Sequence, residues 1–596
     1  MQSAETVLGV IHELGKQGQP LKRLYRNLFN PLLYLRAYGR IYRNHGALTP
    51  GTTPETADGM SLAKIQTIIE AVRNERYRWN PVRRTYIAKK NSTKKRPLGL
   101  PSWSDKLLQE VIRSILEAYY EPQFSSKSHG FRPGRGCHTA LDMIYSGWRG
   151  TTWFVEGDIS QCFDRLDHTF LLSTLAEKIH DQRFLRLIRG LLEAGYLEEW
   201  QYHATLSGAP QGGVLSPILA NIYLDKLDKF VETEILPKYN AGTRRAPNPE
   251  YMRVHRQMKY YEKQGNKERV RQLRNQLQCL PSRNPEDPRF RRLRYVRYAD
   301  DWLLGLSGPK CEAEDIKQEI RDFLRDSLRL ELSEPKTLIT HARTETARFL
   351  GYEIMVLNND HKHDRRGHRS INGQIGLKVP MKIIREKCKP YLRNGKPIRR
   401  TERTVNTAYS IMAQFQSEFR GIAEYYQLAF NRHQLSRLRH VMEQSLTKIL
   451  ARKYRISVNE VYRRYRTVLQ TEQGPRTGLQ VTIERGEGRK SLVAKWGGIS
   501  LARRIRAVEL NDSPPVIWNS QRSELIQRLL ANTCELCESH ENVEVHHIRH
   551  LKDLKGKGRK EQPEWVKNMA ARRRKTLIVC RRCHEDIHAG RKNTQA

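Results

Sequence analysis

The sequence predicts a multidomain α+β protein, and three observations indicate this fold class. A chain of 596 residues is too long for one hydrophobic core, and a division by about 150 residues per domain gives about four domains. The pattern is strand-like from about residue 81, whereas it is helical between about 375 and 450. Near the C-terminus, cysteines occur as two Cys-x-x-Cys pairs, a spacing typical of a small metal-stabilised module.

The chain is strongly basic, and this charge indicates which class of molecule the chain binds. Lys plus Arg number 106 against 64 Asp plus Glu, which gives a formal net charge of +42. Because the charge is spread over nearly every segment, it predicts a large surface that binds a polyanion. Membrane-surface binding is the alternative, but no run approaches the roughly 18 apolar residues of a spanning helix, and the N-terminus lacks the apolar core of a signal peptide. We therefore expect RNA or DNA as partner, and no membrane.

The first two segments of the chain are a helical extension and a basic hairpin. Within residues 1–80, apolar residues from Leu62 to Val72 recur at helical spacing after Ser61, a suitable N-cap. From about residue 81 the pattern predicts a charged hairpin that carries Lys89 and Arg96. These cations would hold phosphate groups of a nucleic-acid partner, or else form only a solvated charged surface.

Two predicted strands end in carboxylates. The run from Arg294 to Leu304 predicts a strand, a turn that contains Asp300 and Asp301, and a return strand. Residues 153–159 predict another short strand, which carries Asp158 at its end. Side by side in a sheet, the acids would hold two Mg²⁺ ions roughly 3.5–4 Å apart, whereas an Asp-Asp pair alone is more often a solvated turn.

Three further features surround these acids. Residues 210–217 include Gln211 and Gly212, and glycines there allow the backbone to lie close to a template strand or a primer end. Residues 235–290 interrupt the pattern and add a long basic helical stretch from Tyr251 to Leu277. Beyond the acids, Lys336 is a candidate general acid toward pyrophosphate, with an ordinary surface lysine as the alternative.

In this order, Asp158, the segment 210–217 and the sequence Tyr-Ala-Asp-Asp at 298–301 resemble the palm of a reverse transcriptase. This resemblance implies right-hand-like fingers and palm in residues 81–365. It also implies that Phe163, five residues after Asp158, is the aromatic residue that excludes a 2′-hydroxyl. A lone aromatic could equally belong to the core.

A second resemblance concerns the segment Arg420-Gly-Ile-Ala-Glu-Tyr-Tyr426, which is similar to the maturase (X) domain of group II intron-encoded proteins. Together the two resemblances cover residues from about 30 to 450. They imply a helical thumb in residues 375–450. Residues 455–520 contain no recognisable motif, and the family implies a basic DNA-binding region there.

The C-terminal segment, residues 525–596, contains two sets of candidate metal ligands. Four thiols at tetrahedral spacing predict a structural Zn²⁺. These thiols belong to Cys534, Cys537, Cys580 and Cys583. The other cysteines are scattered singly, which predicts a reducing compartment rather than a disulfide framework.

The second set consists of histidines. His584 and His588 are spaced i, i+4 on one helix face and would join His546 around one catalytic divalent ion, with His547 as general base on a water molecule. The set resembles the ββα-metal (HNH-type) endonucleases fused to many group II intron proteins. The usual central Asn would fall near Lys575 or Thr576, so the orientation of the base is an open question. An inert zinc knuckle is the alternative.

The resemblances predict a group II intron-encoded protein that combines reverse transcriptase, maturase and endonuclease. It would bind the intron RNA lariat, promote splicing, nick a double-stranded DNA target and use dNTPs for target-primed cDNA synthesis. A splicing-only RNA-binding protein with a relic polymerase and the reverse transcriptase of another retroelement are the alternatives. We expect a cytoplasmic, nucleoid-associated ribonucleoprotein in a bacterium, with an organellar origin and a homodimer left open.

Overall fold

We obtained a computed structural model of the chain, and it describes most of the sequence. The described residues are 2–44, 46–88, 95–199, 201–205, 207–208, 212–285, 287–365, 369–485, 491–503, 524–550, 554, 563–572 and 574–591. Two of the predicted site residues, Lys89 and Gln211, lie outside these ranges, as do residues 486–490 and 504–520 of the predicted DNA-binding region.

The N-terminal region and the fingers are helices packed around one long buried helix, with a hairpin beside them. Their elements are α1 (Ala4–Lys16), α2 (Pro31–Ile41), β1 (Met60–Ser61), α3 (Leu62–Arg73), β2 (Val82–Ala88), β3 (Lys95–Leu100), α4 (Trp103–Tyr120) and α5 (Cys137–Gly147). The predicted helix after Ser61 is confirmed, because the Ser61 side chain accepts the N–H of Lys64 at the start of α3. The predicted basic hairpin is also confirmed, since β2 and β3 pair antiparallel.

The palm contains a four-stranded antiparallel sheet. Its elements and those that follow are β4 (Trp153–Asp158), α6 (His168–Ala176), α7 (Gln182–Glu193), β5 (Tyr196–Glu198), β6 (Gln201–His203), α8 (Ser216–Phe230), α9 (Leu236–Lys238), α10 (Pro249–Lys263), α11 (Lys267–Cys279), β7 (Arg292–Tyr298), β8 (Asp301–Ser307), α12 (Lys310–Asp326) and β9 (Ile339–His341). The strand order is β7-β8-β4-β9. Asp158 on β4 therefore lies directly opposite Asp301 on β8, which confirms that the two acid-bearing strands are neighbours.

The insertion in the palm is a helical hairpin rather than one long helix. Gly265 has a φ of +74°, in the left-handed region that favours glycine, and it separates α10 from α11. Asn266 then begins α11 by accepting the N–H of Arg269. The two helices share a small apolar core of their own, formed by Val254, Met258, Leu273 and Leu277.

The thumb packs against a three-stranded sheet from the following segment. The elements are β10 (Ala347–Phe349), β11 (Tyr352–His363), β12 (Arg369–Lys378), α13 (Met381–Cys388), β13 (Leu392–Arg393), β14 (Lys396–Pro397), α14 (Ala408–Tyr425), α15 (Ser436–Tyr454), α16 (Val458–Tyr465), β15 (Arg466–Thr471), β16 (Gly474–Ile483) and β17 (Leu492–Gly497). The indole of Trp496 on β17 lies 5.8 Å from the ring of Phe419 on α14. Strands β15–β17 thus share a core with the thumb, although the sequence suggested a separate region there.

The C-terminal module is joined to the N-terminal region by a shared sheet. Its elements are α17 (Glu524–Leu530), β18 (Val543–His547), α18 (Glu564–Arg572), β19 (Thr576–Cys580) and α19 (Arg581–His588). The sheet has the order β1-β18-β19, so the short N-terminal strand β1 extends it. Met60 pairs with Val545 across β1 and β18, and both side chains are fully buried. Among the described residues, we find no helix with the length and apolar character needed to cross a membrane.

Candidate active sites

The palm site is built on a strained turn between β7 and β8. Ala299 in this turn has a φ of 55°, a left-handed conformation that costs free energy for a residue with a Cβ atom. The turn is held tightly from one side, because a Cβ added at Gly130 would lie 2.3 Å from the backbone nitrogen of Ala299. The turn places Asp300 and Asp301 at the end of the sheet, beside the last residue of β4.

The palm carboxylates lie close together, and their proximity affects the pKa of Asp300 and of Asp301. Burial raises the pKa of Asp301 well above its ordinary value, and the charge of Asp300 together with the neighbouring Asp158 raises it further. The ammonium of Lys336 offsets part of this repulsion, since its Nζ lies 2.7 Å from Oδ2 of Asp158. Clustered carboxylate oxygens with incomplete cationic compensation fit hard divalent ions such as Mg²⁺.

The buried cation Arg297 holds the turn that carries Asp300 and Asp301. Its guanidinium is fully buried. It donates to Oδ1 of Asp228 at 2.8 Å and to the backbone carbonyl of Ala299 at 2.8 Å. It also reaches the hydroxyl of Ser128 at 3.0 Å. One side chain therefore connects α8, the loop before α5 and the turn that carries the acids.

Arg297 and Asp228 were not predicted from the sequence, although a signal was present. Along a strand, alternate residues point to one face, so Leu293, Tyr295 and Arg297 share a face of β7. Leu293 and Tyr295 are core residues. An arginine at the next position of such a face predicts a buried, paired cation.

We expect Arg297→Lys to destabilise the palm, because one ammonium cannot replace a planar group that donates to Asp228, Ala299 and Ser128 together. The loss of a buried paired charge network is of the order of 3 kcal/mol. Urea unfolding of the full chain would show this destabilisation as a lower urea concentration at the midpoint of the first unfolding transition. The control is Arg294→Lys on the same strand, which should shift the midpoint little. Equal shifts in both variants would contradict the assigned role of Arg297.

Three of the other predicted nucleotide- and template-binding residues, Arg96, Phe163 and Gly212, lie in the described part of the chain. Arg96 on β3 is exposed. Burial raises the pKa of Asp300, and the positive charge of Arg96 offsets only part of that rise. The ring of Phe163 lies 6.3 Å from that of Phe131, edge to face, and is partly buried against the core. Gly212 has a φ of +102°, and a Cβ there would lie 2.8 Å from the carbonyl oxygen of Gly99. In the described structure, the backbone of Gly212 therefore lies close to strand β3 of the same chain.

The cysteines of the C-terminal module form a cluster that could hold zinc. The four Sγ atoms lie within 4.8 Å of one another. The Sγ atom of Cys537 is 3.6 Å from those of Cys580 and Cys583. This separation is far too long for a disulfide, whereas Zn–S bonds of about 2.3 Å in a tetrahedron give S–S edges of about 3.8 Å. Both the spacing and the thiol donor set fit Zn²⁺.

The histidines form a second cluster, and a residue from the N-terminal region joins it. Nε2 of His584 lies 3.1 Å from Nδ1 of His546 and 3.1 Å from Nε2 of His588. Nδ1 of His584 contacts the carboxylate of Glu544 at 2.7 Å, as outer carboxylates do for metal-bound imidazoles. The fourth member is Asp58, from the loop before β1. Asp58 was not predicted from the sequence, since about 490 residues separate it from the histidines and no local pattern marks it.

Charge in this cluster is balanced between the carboxylates and the imidazoles. Burial alone would lower the pKa of His584, but hydrogen bonds with Asp58 and Glu544 raise it to about 9. Burial alone would raise the pKa of Asp58, but hydrogen bonds from His546, His584 and the backbone N–H of His547 hold it well below its ordinary value. Convergent imidazole and carboxylate donors of this kind fit a divalent cation.

The predicted general base, His547, is buried beside a basic cavity. Burial lowers the pKa of His547 to about 4. Its Nε2 lies 2.8 Å from the hydroxyl of Tyr38 on α2, a contact between the two ends of the chain. Thr576 pairs with His547 across the sheet, so the position expected for an Asn is occupied by Thr576 and Lys575. The adjoining cavity, of about 850 Å³, is lined by Arg43, Arg549 and Lys575.

Comparisons with known proteins agree with this geometry. Residues 87–354 match the family model described as reverse transcriptase (RNA-dependent DNA polymerase). Residues 373–477 match the type II intron maturase model, and residues 534–584 match the AI2M/AI1M-like HNH endonuclease model. The fold and the sites therefore define an RNA-directed DNA polymerase that also carries a DNA endonuclease module.

Relatives place the chain in one family. It is 38% identical over 611 aligned positions to the group II intron-encoded protein LtrA of Lactococcus lactis subsp. cremoris, with 97% of this chain and 98% of that protein covered. It is 33% identical to an uncharacterised 91 kDa protein in the cob intron of Schizosaccharomyces pombe, with 99% of this chain and 73% of that protein covered. The chain belongs to the family of group II intron-encoded proteins.

Among solved structures, apo telomerase from Candida tropicalis, truncated from its C-terminal domain, is similar to half of the chain. The likeness covers 50% of this chain and 55% of the telomerase, with a TM-score of 0.30 and 12% identity. A likeness at this level adds nothing to the assignment.

Proposed function

We propose that this protein binds the RNA of its intron, helps that RNA to reach its splicing-active fold, and supports insertion of the intron into DNA. The observation that carries the proposal is one chain in which the acids of the palm, the maturase segment and the histidine cluster are all intact. We propose five parts: an N-terminal extension (1–80), fingers and palm (81–365), thumb (375–450), DNA-binding region (455–520) and endonuclease (525–596).

In the palm, we propose that Asp158, Asp300 and Asp301 hold two Mg²⁺ ions. Such ions lower the pKa of a primer 3′-hydroxyl and stabilise the charge on the leaving pyrophosphate of a dNTP. Lys336, which contacts Asp158, is placed to donate to that pyrophosphate once the acids are otherwise neutralised. The further nucleotide- and template-binding residues in the proposal are Lys89, Arg96, Phe163, Gln211 and Gly212.

In the endonuclease, we propose that His546, His584 and His588 hold one divalent ion that polarises the scissile phosphate. His547 would accept a proton from the attacking water, because its buried ring is neutral and one nitrogen is turned toward Tyr38. The four cysteines would hold a structural Zn²⁺ and keep β19 and α19 in place. The substrate is the second strand of a double-stranded DNA target.

The best test of the whole proposal is the RNA that accompanies the protein. We expect sequencing of the RNA that co-purifies from the native host to recover the excised intron lariat. A different template RNA would indicate another retroelement and would overturn the proposal.

The mass of the same ribonucleoprotein distinguishes one protein copy from a homodimer. Fractionation tests the proposed cytoplasmic, nucleoid-associated location against an organellar one.

We expect RNA binding to weaken steeply with salt, because the net charge of +42 is spread over the chain and bound phosphates release counterions. A surface that neutralises at least six phosphates should lose about 10³-fold in affinity between about 50 and 200 mM salt. Filter binding across this range measures the slope. Unfolding midpoints at both salt concentrations provide the control, and an affinity that stays flat would contradict a polyanion-binding surface.

A further inference from the structure

The endonuclease module has a partner inside its own chain. Beyond the pairing of β1 with β18, the backbone N–H of Gly59 donates to the carbonyl of Val545 at 3.0 Å. On the other side, a Cβ added at Gly39 on α2 would lie 2.9 Å from Ile526 on α17. The buried side chains of this contact belong to the same core as the N-terminal helices. The contact is therefore a packed interface.

This interface delivers one carboxylate to the histidine cluster. Oδ2 of Asp58 lies 2.9 Å from Nε2 of His588, and Oδ1 lies 3.2 Å from Nε2 of His584. Oδ1 also accepts the backbone N–H of His547 at 2.7 Å, which fixes the direction of the carboxylate. Gly59, with a φ of +74°, forms the bend that connects Asp58 to β1. The pairing of β1 with β18, next to this bend, thus holds Asp58 in one position.

The distances between these donor atoms describe the edges of a coordination shell. Asp58 Oδ1 to His546 Nδ1 is 3.5 Å, and the remaining measured pairs are 2.9–3.2 Å apart. Ligands at about 2.0–2.2 Å from one ion are separated by about 2.9 Å at right angles and about 3.4 Å in a tetrahedron. The distances to His546 and His584 are from Oδ1 of Asp58, and the distance to His588 is from Oδ2. One ligand atom from each of the four residues lies within 4.8 Å of the others, so the four residues fit around a single centre.

We propose that Asp58 is a protein ligand of the endonuclease ion, donated by the N-terminal region, so that the nuclease site is complete only when that region is docked. The proposal deepens the nuclease function proposed above. A charged oxygen added to three imidazoles makes the site more suitable for Mg²⁺ or Mn²⁺, which prefer oxygen ligands, than a set of nitrogens alone. His588 is 57% exposed, so DNA can approach the ion from that side.

The alternative is that Asp58 imitates a scissile phosphate and plugs the site until DNA displaces it. A plug must leave, which requires a weakly held segment. Asp58 is instead adjacent to a paired strand, and its oxygen holds the N–H of His547. The structure favours a permanent ligand.

Mn²⁺ binding to the full chain tests the proposal without relying on activity. Asp158→Ala and Asp300→Ala are first introduced together, so that the palm does not contribute, and free Mn²⁺ is followed by electron paramagnetic resonance. We expect Asp58→Asn, which keeps an oxygen for the His547 N–H, to weaken Mn²⁺ binding by at least 10-fold, and Asp58→Ala to weaken it at least as much. Zinc content should stay constant in both variants.

The matched control is Glu55→Gln in the same loop, where Glu55 accepts from the hydroxyl of Ser104 at 2.7 Å and lies outside the cluster. We expect its Mn²⁺ affinity to stay within twofold. Unchanged affinity in Asp58→Asn, or faster DNA nicking by that variant with the palm intact, would overturn the proposal. If the parent chain binds no Mn²⁺ at this site, this inference and the nuclease ion both fail. If the parent chain binds Mn²⁺ and nicks DNA, and Asp58→Asn shows the same Mn²⁺ affinity and the same nicking rate, only this inference fails.

Discussion

Asp300→Ala is expected to abolish primer extension and to leave RNA-assisted splicing intact. Asp300 lies in the turn between β7 and β8, next to Asp301 and close to Asp158, so its loss removes a carboxylate from the proposed ion site. Metal stabilisation of this chemistry is worth several kcal/mol, and each 1.36 kcal/mol is tenfold in rate, so extension should fall by about 10³-fold or more. Splicing depends instead on contacts with intron RNA, which the palm acids do not provide.

The measurement compares cDNA synthesis on an annealed template with splicing of a precursor RNA, using the same protein preparation. Asp326→Ala is a suitable control, because Asp326 is an exposed carboxylate at the end of α12, paired with Arg325. Its extension rate should match that of the parent chain. If Asp300→Ala lost splicing as well, with an unchanged circular dichroism spectrum, the two activities would share a surface and the separation would be wrong.

Local patterns in the sequence predicted the elements of the palm well. Strand alternation around Tyr298 and the acids after it predicted both β7 and β8, and the carboxylates at the strand ends predicted that β4 lies beside β8. The cysteine spacing predicted a thiol cluster, which is present. These features depend on residues that are close in sequence, or on a spacing of metal ligands that does not depend on how the rest of the chain packs.

Contacts between distant segments could not be predicted in the same way. Asp58 reaches the histidine cluster because β1 adds to the sheet of the C-terminal module, and a two-residue strand leaves no recognisable pattern. Tyr38 on α2 reaches His547 through the packing of the same two regions. The pairing of Arg297 with Asp228 likewise depends on how α8 lies under the sheet.

The break of the basic helix at Gly265, by contrast, was visible in the sequence, since a glycine followed by Asn predicts the end of one helix and the cap of the next.

The position of Tyr38 bears on the missing asparagine of the endonuclease. Where Thr576 and Lys575 offer no side-chain amide, the hydroxyl of Tyr38 supplies a partner for one nitrogen of His547. A base held by one nitrogen presents the other in a defined direction, which is what a central Asn would otherwise secure. The N-terminal region therefore lies against both the proposed ion ligands and the proposed base of the nuclease.

His547→Ala is expected to remove second-strand DNA cleavage while the other activities persist. Loss of a general base typically costs about 10²–10⁴-fold in rate. The thiol cluster is untouched, so the module should keep zinc and remain folded. Extension from a pre-nicked target should continue, because Asp158, Asp300 and Asp301 are intact. Insertion into the first strand, which we propose is carried out by the intron RNA, should continue as well.

The test uses a labelled duplex target with parent and variant ribonucleoproteins, and both strands are followed on a denaturing gel. The control is His540→Ala, because His540 is an exposed histidine of the same module that contacts the backbone of Asn532 and lies outside the histidine cluster. It should nick like the parent chain. Unchanged second-strand nicking in His547→Ala would mean that this ring is structural, held in place by Tyr38, and that another group accepts the proton from water.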